Sequence, residues 1–170
     1  MRPEKSQGRA AVSRPCDLRS SFPTRVKEAR AELLGRWSWE WFCTLTFTEP
    51  RVHPERANKC FRVWIGRVND AVFGRHWRRR CLGVTWARGT ELQQRGSIHF
   101  HALLSGVGGL RRLTMMDEWS SLAGWARIRP VQRQDLVRKY VAKYVAKGGE
   151  IDLGGRTPSE YARALSTLAD

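Results

Sequence analysis

Between residues 24 and 149, short aromatic and β-branched runs alternate with longer stretches in which apolar residues recur every three or four positions. Trp41 to Phe47, WFCTLTF, is a run of the first kind and closes at Glu49-Pro50, which predicts a strand. From Pro54 to Phe73, Ala57, Phe61, Trp64, Ile65, Val68 and Val72 fall on one helical face, with Pro54 in the first turn and Gly74 at the stop. Cys81 to Glu91 and Ser97 to Leu104 read as two further strands. A three-residue loop, Gln94-Arg95-Gly96, joins them into a hairpin that pairs Gln93 with Ser97, sets Glu91 opposite His99 and brings Arg88-Gly89 beside His101. Leu113 to Ala123 follows as a helix, Trp125 to Pro130 as a short strand, and Gln134 to Lys147 as a helix stopped by Gly148-Gly149.

The order strand, helix, strand, strand, helix, strand, helix predicts an α+β fold of the ferredoxin-like (RRM- or palm-like) kind. Its antiparallel sheet carries helices on one face and leaves the other open for a ligand. Residues 24–149 form this unit, opening with a short helix from Thr24 to Gly35. Residues 1–23 are polar and basic without periodicity and read as a flexible arm. Residues 150–170 read as a linker, GGEIDLGG marking its start, and a short helix from Ser159 to Ala169 behind the capping box Thr157-Pro158-Ser159-Glu160.

Charge narrows the function: 31 Lys and Arg stand against 16 Asp and Glu, a net +15 that asks for a polyanionic partner. Hydrophobic residues at 41%, with eight Trp, are enough for a packed core and exclude disorder throughout. The sequence has no apolar run of the roughly 18 residues a membrane span requires and no apolar segment after Met1, so a soluble, cytoplasmic protein of a bacterial or archaeal cell with no membrane partner is expected. Cys16, Cys43, Cys60 and Cys81 are far apart, with no CxxC pair to suggest a zinc site or a disulfide framework.

Two clusters carry candidate chemistry. In a strand, His99 and His101 project from one face while Phe100 turns to the other, and the facing Glu91 adds a carboxylate about 5 Å away at Cβ. Alone, His-x-His on a strand more often marks a wet polar face; the carboxylate opposite it tips the balance towards a divalent-ion site with open positions. Tyr140 and Tyr144, four residues apart on a helix, present two phenols on one side, with Lys143 and Lys147 at the same spacing. Tyrosines at that spacing usually pack and lysines usually solvate. Next to a metal, however, the ammonium groups favour the phenolate that a nucleophile requires.

Taken together, Thr44-Leu45-Thr46-Phe47, His99-Phe100-His101 preceded by Glu91 and Arg95-Gly96, and the doubled YVAK of Tyr140 to Lys147 resemble, in order and spacing, the three motifs of rolling-circle replication initiators of the HUH endonuclease superfamily. The doubled motif resembles the two-tyrosine type of single-stranded DNA phages and plasmids. The resemblance implies Mg²⁺ or Mn²⁺ held by His99, His101 and Glu91, and a 5′-phosphotyrosine on Tyr144 with Tyr140 as the second nucleophile. It further implies single-stranded or hairpin origin DNA as the ligand, and a host helicase and polymerase as partners, since no GxxxxGK[ST] motif is present. Arg75, Arg78, Arg79, Arg80, Arg95, Arg111 and Arg112 are expected to contact phosphates, and Trp77, with Trp37 and Trp39, to stack on bases. A tyrosine transposase of the same superfamily and a non-catalytic nucleic-acid-binding module of ferredoxin-like fold are the alternatives.

Overall fold

The computed structural model describes residues 34, 35, 37–93, 96–135, 137 and 151–156. Five strands and two helices follow in the order β1 (Trp41–Thr46), α1 (Pro54–Phe73), β2 (Thr85–Leu92), β3 (Ile98–Ser105), α2 (Arg112–Leu122), β4 (Ala126–Pro130) and β5 (Ile151–Gly154). The sheet runs β4-β1-β3-β2-β5 with every neighbouring pair antiparallel. With β3 lying between β1 and β2, the two β-α-β units are split, which is the ferredoxin-like arrangement.

Helix α1 has the bounds its periodicity predicts. His53 caps it, accepting the Glu55 N–H on Nδ1 at 3.4 Å, Pro54 supplies the first turn, and Gly74 at φ 77° ends it. Its stripe of Ala57, Phe61, Trp64 and Val68 is buried against Trp41, Cys43, Leu45, Phe100, Ala102 and Leu104 of β1 and β3. Trp119 of α2 completes this layer: its ring meets Phe47 edge-on at 5.2 Å and Trp64 at 6.0 Å, and its Nε1–H donates to the Thr46 carbonyl at 3.0 Å. Burying each large side chain contributes about 1.5–3 kcal/mol, so the aromatic layer is what fixes the sheet against the helices. No described helix is long and apolar enough to cross a membrane.

Three departures from the sequence reading have physical reasons. Strand β2 begins at Thr85, not Cys81, because its partner β3 ends at Ser105 opposite Thr85. The Val84 N–H goes instead to the buried Asn69 side chain at 2.8 Å. Residues 151–154, expected to be linker, form β5 on the free edge of β2. A Cβ on Gly154 would run into the Trp86 ring and one on Gly155 into the Val84 carbonyl, so the glycines are there for close approach rather than for looseness. Finally, the face opposite the helices is not fully open. Ala87 and Leu103 on that face are covered by Leu34, Trp39 and Val137.

Gln134, Asp135 and Val137 are helical, at the predicted start of the tyrosine-bearing helix. The Gln134 side chain holds this start to the chain leading into β1, accepting from the Trp39 N–H at 3.1 Å and donating to the Trp39 carbonyl at 2.7 Å. The expected basic arm, the first helix up to residue 33, Arg95, the tyrosines and lysines of Tyr140 to Lys147, and the last helix lie outside the described residues.

Candidate active site

The hairpin register places the site. Gln93 N–H donates to the Ser97 carbonyl at 3.0 Å and Gly96 N–H to the Gln93 carbonyl at 2.8 Å, and from there Glu91 stands opposite His99 and Gly89 opposite His101. Strand β1 continues both rows, Thr46 beside His99 and Thr44 beside His101. Alternation then sends Glu91, His99, His101, Thr44 and Thr46 to the face away from the helices, and Phe100 and Leu45 into the core.

Within this group the carboxylate does not stay with its nearest neighbour. His101 Nε2 donates to Glu91 Oε2 at 3.1 Å, a diagonal contact across the two strands. Gly89, opposite His101, has no side chain to compete for that space. Phe42 stacks on the His101 ring from one side, centroids 6.2 Å apart and planes at 23°. His99 turns Nδ1 to the Thr46 hydroxyl, with which it shares a hydrogen bond of 3.3 Å. Partial burial lowers the His99 pKa from its ordinary 6.5, opposed in part by the negative charge of Glu91. At neutral pH its imidazole is therefore neutral and can offer a lone pair to a ligand.

Two imidazoles and a carboxylate are a donor set suited to a divalent ion with open positions. The 3.1 Å between His101 Nε2 and Glu91 Oε2 matches the roughly 3 Å that separates adjacent ligands of an octahedral ion with bonds of about 2.1 Å. His99 is not drawn into the same point, and among the described residues no group of three or more His, Cys, Asp or Glu side chains converges as a metal centre. Glu91 and His101 thus fit such an ion as they stand, whereas His99 has to release Thr46 to join them.

Sequence reasoning missed three neighbours on this face. Arg127 stands beside Thr44 and Arg129 beside Phe42 on β4, both exposed, and the alternation of ARIRP was the signal. Trp125, 56% exposed, sits immediately before β4, its carbonyl accepting the Thr46 N–H at 2.8 Å. Phe42, Leu103, Arg129, Val131, Arg133 and Val137 line a cavity of about 430 Å³ on the same side.

Other expected contacts lie elsewhere. Arg75, Arg78, Arg79 and Arg80 follow α1 and precede β2, at the opposite end of the sheet from Glu91. Glu91 stands six positions beyond Thr85 on β2, a span of about 20 Å at 3.4 Å each. Arg111 and Arg112 open α2 at the same far end, Arg112 donating to the Ile128 carbonyl at 3.3 Å. The Trp39 ring is buried and its Nε1–H donates to the Leu34 carbonyl at 2.8 Å, so it does not stack on bases. Trp77 is half-buried, donates Nε1–H to Asp70 at 3.0 Å, and has the Arg78 guanidinium over its ring at 4.7 Å.

No curated protein and no solved structure matches this chain. A family model does: residues 40–149, which contain β1 to β4, the histidine pair and the doubled YVAK, match the family of replication-associated proteins of the ORF2 type. The chain therefore belongs to the replication-associated protein ORF2 family.

Proposed function

We propose that this protein is a metal-dependent, site-specific endonuclease and strand transferase that initiates rolling-circle replication by nicking and rejoining single-stranded origin DNA through a 5′-phosphotyrosine. The observation that carries the reading is the single sheet face on which Glu91, His99 and His101 stand with Thr46, inside the region matched by a replication-associated family. Val137, three residues before Tyr140, is buried against Ala87 and Leu103 of that same face, which favours a tyrosine helix close to the histidines.

Glu91, His99 and His101 would hold Mg²⁺ or Mn²⁺, which supplies Lewis-acid polarisation of the scissile phosphate when bound. The chain's own groups do the rest. Phe42 and Glu91 fix the His101 ring, and Thr46 orients His99. The Tyr144 phenolate attacks phosphorus; a tyrosine O–P bond forms, the P–O3′ bond breaks, and the 3′-oxygen takes up a proton equivalent to the one the phenol lost. Lys143 and Lys147 lower the cost of the phenolate, and Tyr140 repeats the attack when the origin is regenerated. The new 3′-hydroxyl then displaces the first tyrosine and closes the circle. Arg127, Arg129 and Trp125 are placed to hold the flanking strand.

A non-catalytic nucleic-acid module is the second reading, favoured by the absence of a converged three-ligand group among the described residues. Incubation with a pool of random single-stranded oligonucleotides and Mn²⁺, followed by a denaturing gel, separates the two. The nickase reading expects an SDS-resistant protein–DNA adduct that EDTA abolishes. Binding without any adduct would favour the module.

A further inference from the structure

The helix side of the molecule carries a charged surface that the histidine face does not use. Lys59, Arg62 and Arg67 project from α1, and Arg78, Arg79 and Arg80 from the turn that follows it. Arg78 joins the two groups, because it lines with Lys59, Arg62, Val63, Gly66 and Arg67 an open groove of about 550 Å³. The turn is held by its own backbone: Arg80 N–H donates to the His76 carbonyl at 3.1 Å, Cys81 N–H to Arg78 at 3.1 Å and Leu82 N–H to Trp77 at 2.9 Å. A cation array fixed in this way loses less entropy on meeting a ligand than a floppy one. The acidic neighbours do not cancel it. Glu118 answers Arg67, Asp70 is engaged by Trp77, and Glu55 sits in the first turn of α1.

Gly66 makes this surface more than a solvated basic patch. It lies in the interior of a 20-residue helix, where glycine costs about 1 kcal/mol relative to alanine. Nothing lies within 4 Å of where its Cβ would stand, so packing does not demand it. A bare helix backbone on the groove floor, flanked by arginines, lets a bulky phosphate backbone approach closely.

We propose that this groove docks duplex DNA, in a manner independent of the nicking chemistry. The two faces divide the labour by chemistry. Single-strand surfaces combine charge with exposed rings that stack on bases; Trp125 and Phe42 provide rings on the histidine face, whereas the groove holds fixed charges, Val63 as its exposed apolar residue and no open ring. Charge without stacking suits the backbone of a duplex, which presents about one phosphate charge per 1.7 Å of axis. The site accepts phosphates on both strands and reads no bases. A duplex arm held on the helix side leaves its unpaired continuation free to cross the histidine face.

The test is fluorescence anisotropy without divalent metal, with a short blunt duplex, oligothymidylate, and vesicles of phosphatidylserine and phosphatidylcholine as competitor. Gly66→Leu keeps every charge and favours the helix, so circular dichroism should show an unchanged or raised melting temperature. It should weaken duplex binding about tenfold and leave oligothymidylate binding as it was. Replacing Arg78, Arg79 and Arg80 together by Gln should lower the log–log salt slope on duplex by about 2 to 3, near 0.9 for each phosphate no longer neutralised. The proposal is overturned if Gly66→Leu binds duplex like the parent, if it loses both nucleic acids equally, or if the vesicles displace duplex from the parent protein. Adduct formation by the parent is scored separately, so failure here and failure of the nickase reading are distinguishable.

Discussion

Arg88 is a cation on the core side of the sheet, and what it costs to strand it can be worked from the structure. Its side chain is 7% exposed, its guanidinium lies 4.7 Å from the Phe61 ring centre and 4.3 Å from that of Phe100, and its ion-pair partner is Asp152 of β5, 51% exposed. Removing one partner of a fully buried pair costs about 3–5 kcal/mol, and of an exposed pair about 0–1. Asp152 is half in water and the two rings keep part of the cation's stabilisation, so Asp152→Ala should cost about 1–2 kcal/mol. For a chain of this size that is a fall in melting temperature of roughly 3–7 °C. Arg88→Met removes the charge but keeps the length, and its thioether packs on the same rings, so it should stay within about 1 kcal/mol of the parent. The double variant should then be more stable than Asp152→Ala alone. Urea denaturation of the four proteins gives the cycle. If Asp152→Ala costs less than about 0.5 kcal/mol, or adding Arg88→Met makes it worse, Asp152 does not compensate a buried cation and β5 is not a clamp on β2.

Further outcomes follow from individual side chains. In metal-free protein the His99 imidazole should titrate below 6.5 in NMR, since burial outweighs Glu91; an apparent pKa at or above that value contradicts the site. Because the unfolded chain binds this proton more readily than the fold, stability contributed by His99 is fully present above about pH 6.5 and declines as pH falls towards the folded-state pKa. Cys43 is buried and its thiol pKa is pushed far up, whereas Cys81 is exposed, so iodoacetamide at mild pH should label Cys81 and spare Cys43 until the protein is unfolded. Peptide mapping that finds Cys43 labelled in the native state would refute the packing of β1. Trp119→Phe keeps a ring in the core but strands the Thr46 carbonyl that its Nε1–H satisfies; a cost of about 1–3 kcal/mol by denaturant titration is expected.

The elements that could be read from the chain are those whose burial is strictly periodic. In α1 and β1 the pattern of apolar residues is set by one core face, and the observed bounds of α1 match it residue for residue. The Glu91–His99 register was equally legible, because a three-residue loop with Gly96 at φ 76° leaves the hairpin a single pairing. Strand β5 was not legible. Four residues with Asp at their centre and glycines at both ends look like a linker, and their pairing depends on Arg88, 64 positions earlier, offering a charge to Asp152. The same blindness hid the Glu91 carboxylate's turn to His101, which follows from the missing side chain at Gly89, and the arginines of β4, whose face is decided by pairing with β1. The loop arginines of residues 75–80 suggested nucleic acid by composition, but only the fold separates them from the histidines.

The most direct test of the nickase reading is to map the covalent adduct. Protein incubated with single-stranded DNA and Mn²⁺ is digested with protease and nuclease, and the nucleotide-bearing peptide is sequenced by mass spectrometry. A phosphodiester is expected on Tyr144, with Tyr140 modified when Tyr144 is replaced by Phe, and no adduct from His99→Ala or His101→Ala protein that still binds DNA. An adduct on neither tyrosine, or full cleavage by the histidine variants, would contradict the proposed mechanism.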